Sequence, residues 1–166
     1  MSFGNNRKTS FLNSIPITSL DDDKNNLAKR CKFNFSYFDN SQISGQDFKD
    51  WNHVQLIKLL NKLCDYNKET LDFWSKQPIG SGKKRGQVLA VYREFPNNSD
   101  FKHPKHVPHQ ALWARFRLES DSRLIGFVVP EEYNNKEHNG TGFYFCTNTF
   151  YVVFLDEKHK FYKTKK

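Results

Sequence analysis

The sequence predicts an α+β fold in which a long helical stretch packs on an antiparallel sheet. Apolar residues recur at three- and four-residue steps between about Asp47 and Ser75, which is the period of a helix. On either side of that stretch the pattern changes to alternation, once before it and several times after it. That is the period of half-buried strands. The chain has 166 residues, 37 % hydrophobic and 16 % aromatic, so it can bury a core and fits one domain.

In chain order, Met1 to Ala28 is Asn- and Ser-rich, aperiodic, and carries the acidic run Asp21-Asp22-Asp23. It is expected to be a flexible arm, leaving residues 29–166 as the domain. Lys32-Phe33-Asn34-Phe35-Ser36-Tyr37-Phe38 alternates polar and aromatic side chains and predicts the first strand. Asp39-Asn40-Ser41 and Ser44-Gly45 then break the chain. The helical stripe comprises Phe48, Trp51, Val54, Leu56, Ile57, Leu59, Leu60, Leu63, Tyr66, Leu71 and Trp74, with a break near Asn67. It is expected to be core.

Gln77 to Gln87 reads as a loop, Val88 to Phe95 as a strand, and Asn97 to His109 as an irregular Pro- and His-rich segment. Ala111–Leu118 and Arg123–Val129 are two clearer strands, joined by Glu119-Ser120-Asp121-Ser122. A charged insert follows at Pro130–Gly142. Gly142–Phe145 and Thr149–Leu155 predict two further strands around a Thr147-Asn148 turn, and Asp156–Lys166 is a tail.

Several classes are excluded at this level. No apolar run reaches the roughly 18 residues of a membrane span, and the first residues lack the apolar centre of a signal peptide. A cytoplasmic protein with no membrane partner is expected. Cys31, Cys64 and Cys146 are widely spaced and form no CxxC, which argues for free thiols rather than disulfides or a zinc site. Net charge is +8, and it is uneven. Residues 1–82 carry 11 basic and 9 acidic side chains, whereas residues 83–166 carry 15 basic and 9 acidic. A basic second half favours a polyanionic partner, or else serves only solubility.

Gly80-Ser81-Gly82-Lys83-Lys84 has a passing likeness to a phosphate loop. Gln77 stands where the first glycine belongs, Lys84 replaces the hydroxyl residue, and a helix rather than a strand precedes it, so nucleotide hydrolysis is excluded. What remains is a basic loop, Lys83, Lys84 and Arg85, suited to phosphate contact or to solvation. His103, His106 and His109 are spaced by three, but Pro104 and Pro108 rule out a single helix face and no further ligand completes a metal set. Acid–base work, RNA contact (His106, His109) and a plain surface role stay open for them.

The strongest constellation lies on the strands. In Trp113-Ala114-Arg115-Phe116-Arg117-Leu118 the two arginines share one face. If Ala114, Phe116 and Leu118 pack on the helix, Arg115 and Arg117 point to the open face, where Arg123 joins them after a short turn. Lys158, His159, Lys160 and Tyr162 follow the last strand. Such a surface suits the phosphates and bases of RNA. The alternative is a solvated basic sheet edge.

Arg115-Phe116-Arg117, Ser122-Arg123-Leu124-Ile125, Tyr151–Leu155 and Lys158-His159-Lys160-Phe161-Tyr162 succeed one another in an order that resembles the RelE/ParE/HigB superfamily of bacterial toxins. The likeness covers about residues 47–162. Residues 32–39 and the His-Pro segment depart from it and look like a less characterised branch. The resemblance implies a helical hairpin packed on a small twisted antiparallel sheet. It also implies the toxin of a toxin–antitoxin pair, cleaving mRNA without metal or cofactor, often on the ribosome, and held by a cognate antitoxin. Arg117 and Arg123 would bind and stabilise the scissile phosphate. His159, with Lys158 and Lys160, would supply charge or proton transfer, and Tyr162 would orient the nucleotide. Lys83, Lys84, Arg85, Arg115, His106 and His109 would add RNA contacts. The gyrase-directed ParE branch and a non-catalytic basic binding module are the alternatives, because one fold carries several activities.

Overall fold

The computed structural model describes residues 6–22, 25–82, 85–119 and 121–163. The first element, α1 (Asn6–Ser14), buries none of its side chains. The sequence predicts no helix there, because a helix without a core face leaves no periodic stripe to read. β1 (Lys32–Asn34) is shorter than the alternation suggests. The Asn34 side chain accepts the Ser36 N–H at 2.9 Å, and this local turn ends the strand before Phe38.

The helical stretch begins with a single 3-10 turn at Phe48–Asp50, capped by Asp47. α2 (His53–Tyr66) starts at a capping box in which Asn52 and Gln55 satisfy each other's backbone N–H. α3 (Leu71–Lys76) restarts after the break, with Thr70 accepting the Phe73 N–H. The break falls at Asn67, as the sequence predicts.

Not all of the apolar stripe is core. Leu56, Leu59, Leu63 and Tyr66 repeat at three- and four-residue steps and pack inward, but Val54, Ile57 and Leu60 are exposed. One helix presents a single stripe to one sheet, and residues on its far side have nothing to pack against.

A hairpin of β2 (Pro78–Ile79) and β3 (Gly86–Gln87) occupies the predicted loop. The main sheet is built from β4 (Leu89–Arg93), β5 (Leu112–Arg117), β6 (Arg123–Val128) and β7 (Thr149–Asp156), with β1, in the order β1-β7-β6-β5-β4. It is mixed rather than antiparallel. β1 runs parallel to β7, pairing Lys32 with Thr149 and Phe33 with Phe150. The whole of the chain between them serves as the long connection that parallel pairing needs. Gly142–Phe145 is not a strand. It returns along the insert through one bridge, Glu137 to Tyr144, and through bonds such as His138 N–H to the Phe143 carbonyl at 2.8 Å. The result is an ordered lobe, residues 130–145, turned by positive φ at Asn135, Asn139, Gly140 and Gly142.

Both faces of the sheet are covered, so all six residues of β6 are buried. Ala114, Phe116, Leu118, Leu124 and Val152 meet α2 and α3 on one side. On the other, Trp113, Ile125, Phe127, Val153 and Phe154 meet Phe101, Val107 and Phe161 from the loops. The second face is therefore not open along its length, as the sequence reading expects. The His-Pro segment and the tail pack over it. At the crossing of β6 and β7 the register shifts at Gly126, whose added Cβ would lie 2.0 Å from the Tyr151 carbonyl oxygen. Only glycine allows that approach.

Candidate nucleic-acid interface

Strand register brings three arginines together. Arg117 pairs with Arg123 across β5 and β6, and Arg115 lies two residues earlier on the same face. Their partners hold them in place. Arg115 donates from Nε to the Tyr92 hydroxyl at 2.9 Å and from Nη1 to the Gln87 carbonyl at 3.3 Å. Arg117 donates to the Ile79 carbonyl at 3.4 Å. Arg123 donates to the carbonyls of Glu119 and Ser122, each at 2.9 Å. These acceptors are neutral. Arg123 is only 6 % exposed, and burial followed by the charges of Arg115 and Arg117 holds its guanidinium down to about 10. It stays charged at neutral pH, under repulsion from its neighbours.

The tail closes one side. Asp156, paired with Arg123 in register and 1 % exposed, accepts the backbone N–H groups of Lys158, Lys160 and Phe161 at 3.2, 2.9 and 2.8 Å. That turn drives Phe161 into the second core and leaves Tyr162 outside it. The Tyr162 ring lies 4.9 Å from that of Tyr92 and within 3° of parallel. Tyr92 therefore links Tyr162 to Arg115. Burial, before any other influence, pushes the Tyr92 hydroxyl up.

Of the residues the sequence singles out, Arg115, Arg117, Arg123 and Tyr162 converge here. Arg85 is exposed on the β2–β3 hairpin, whose Ile79 and Gln87 carbonyls hold Arg117 and Arg115. Lys83 and Lys84 lie outside the described residues. Lys158 and Lys160 flank the Asp156 turn. His159 sits between them with φ 54, and among the described residues no hydrogen bond, ion pair or ring contact joins it to the arginines. Its expected place beside the scissile phosphate is thus not built by a direct contact, since the turn is shaped by Asp156 rather than by the imidazole.

The histidines of the Pro-rich segment are elsewhere. His106 lies 3.2 Å from the Tyr37 carbonyl and stacks on the Tyr37 ring. Tyr37 packs on Phe127, which pairs with Trp113. That is four residues, roughly 13 Å, from the Arg117–Arg123 pair. His109, which follows Pro108 in the same segment, is exposed. His103 meets Phe95 and Trp113. His106 and His109, expected as RNA contacts, lie apart from the arginines, because the Pro-rich segment runs across the other end of the sheet. Among the described residues, no group of three or more His, Cys, Asp or Glu side chains is placed to hold a metal ion.

Tyr92 is the position beside the arginines that the sequence reading does not single out, and Asp156 is read there only as the end of the last apolar run. Tyr92 falls in a strand of ordinary alternation, and a bulge between Val91 and Arg93 decides where it points. Asp156 is visible as a lone carboxylate ending an apolar run, but its three backbone donors come from residues not yet folded around it in sequence.

Compared with family models, curated proteins and solved structures, the chain matches none. No helix among the described residues is long and apolar enough to cross a membrane. The fold and site define a mixed α+β protein with a half-buried arginine cluster at one end of its sheet.

Proposed function

We propose that the chain is an RNA-directed toxin of the RelE-like kind, a metal-independent endoribonuclease acting on mRNA, with ribosomes as its setting and a cognate antitoxin as its partner. The observation that carries the reading is the crowding of Arg115, Arg117 and Arg123 on two adjacent strands beside the exposed edge of Tyr162. Three like charges repel one another, and a bound phosphate relieves that repulsion. In cleavage, the ribose 2′-oxygen attacks the adjacent phosphorus as its proton leaves. The bond to the 5′-oxygen breaks, and that oxygen takes up a proton. The arginines would stabilise the extra negative charge of the phosphorane. The exposed side of Tyr162, whose ring is backed by Tyr92, would stack a base.

Among the described residues His159 makes no direct contact with the arginines, which favours a second reading, in which the same surface grips RNA phosphates without cutting. One experiment divides the two. Wild-type protein and Arg117→Ala are induced in a bacterial host, and growth and new mRNA ends are followed by primer extension. Growth arrest with new ends, both lost in Arg117→Ala, is the expected result. Arrest without new ends overturns the ribonuclease and directs attention to a target such as gyrase. No arrest, with salt-dependent RNA binding in vitro, leaves the non-catalytic module.

A further inference from the structure

Four residues along β6 from the arginines lies a cavity of about 310 Å³ with a different character. That volume is at the small end of ligand sites. Its walls come from two parts of the chain. Tyr37 and Phe127 meet edge to face at 5.0 Å on the sheet side. Tyr133 and Phe145 meet edge to face at 5.4 Å in the lobe, with His138 against Phe145 at 5.5 Å. Gln110, exposed at the mouth, adds a side-chain amide, which offers one donor and one acceptor side by side. No lining residue is acidic.

The surroundings select the ligand. Lys136 lies over the Tyr133 ring, 5.0 Å from its centre; Lys105, His106 and His109 lie on the adjoining segment, and Glu131, Glu132 and Glu137 belong to the lobe. A flat, uncharged ring with a hydrogen-bonding edge matches the aromatic walls and the amide together.

We propose that this cavity takes a nucleobase of single-stranded RNA, distinct from the phosphate grip at the arginines. The inference rests on the RNA-directed reading and adds to it a base-binding site at the opposite end of the sheet. It gives His106 and His109 a role beside the backbone that carries the seated base.

The test uses an uncharged probe, so that it stands apart from the arginines. Full-length protein is dialysed to equilibrium against labelled adenosine, with ribose 5-phosphate as competitor, for wild type, Tyr133→Ala and Gln110→Ala. Thermal melts check that each variant folds; Gln110 is exposed and its variant is the safeguard. Saturable adenosine binding is expected, insensitive to salt and to ribose 5-phosphate. Since stacking on an aromatic ring contributes strongly per base, Tyr133→Ala should weaken it about tenfold or more. Gln110→Ala should weaken it less. Absence of adenosine binding at millimolar concentration overturns the proposal, as does binding that both variants leave unchanged. Adenosine binding with no affinity for an RNA oligomer keeps the base site and sinks the RNA-directed reading on which its biological meaning rests.

Discussion

Arg123 carries its charge where charge is disfavoured, and the cysteines show the same competition in miniature. Burial raises the Cys146 thiol, yet the Thr149 hydroxyl, the Asn148 N–H and the Lys32 ammonium, 3.7 Å away, together bring it below the usual thiol range. Burial pushes Cys31 up to about 11, against smaller opposite effects of its backbone N–H and Lys32, and its Sγ donates to the Tyr66 carbonyl at 3.1 Å. With iodoacetamide near neutral pH, Cys146 should therefore be alkylated in the folded protein well before Cys31. Lowering the pH should suppress Cys146 labelling only at a pH below that which silences an ordinary thiol. Lys32→Met should slow it. Peptide mass mapping against time is the check, and equal rates at the two cysteines would refute this account.

At the scale of single elements, β6 and β7 depend on one missing side chain. An alanine at Gly126 would collide with the Tyr151 carbonyl oxygen and with the Phe150 ring, 2.7 Å from its Cε1. Strand separation would have to grow in the middle of the sheet, a place with no room to relax. Gly126→Ala should destabilise the fold by about 3 kcal/mol or more, at the upper end of overpacking costs. Urea unfolding followed by tryptophan fluorescence measures it, and a loss under roughly 0.5 kcal/mol, the size of a surface change, would show that the sheet gives way easily. Elements of this kind divide what the sequence discloses from what it hides. The strands Leu112–Arg117, Arg123–Val128 and Thr149–Asp156 and the helix break at Asn67 were legible, because burial on a fixed face writes a period into the residues. The β2–β3 hairpin was hidden, since two residues per strand are too few to show alternation. The lobe over residues 130–145 was hidden as well, since most of its hydrogen bonds are between backbone groups, which every residue carries.

For the whole molecule the dominant fact is the +8 charge, with its excess in residues 83–166. The three clustered arginines were legible as residues sharing a strand face. Their burial was not, because the sequence does not reveal that Tyr92, the β2–β3 hairpin and the Glu119 and Ser122 carbonyls close around them. A ligand that binds only the folded state and relieves the crowding stabilises the fold. At low salt, a short single-stranded RNA at about 100 times its dissociation constant should raise the unfolding temperature by roughly 5–10 °C. The double variant Arg115→Gln, Arg117→Gln should show most of that shift removed in a differential scanning measurement. A shift of the same size in the variant would place the anion elsewhere on the basic surface.

The parallel pairing of β1 with β7 also gives the molecule a mechanical character. Chain enters β1 at Lys32 and leaves β7 at Asp156, at opposite ends of the pair, with Lys32 beside Thr149. Tension applied through the flanking segments slides these two strands along each other and loads their hydrogen bonds together, instead of peeling them one at a time. β7 is also gripped by β6 on its other edge. A pull on the arm before β1 is therefore borne by the middle of the sheet, and the arginine end, anchored to β7 through Asp156, keeps its shape until that short clasp fails.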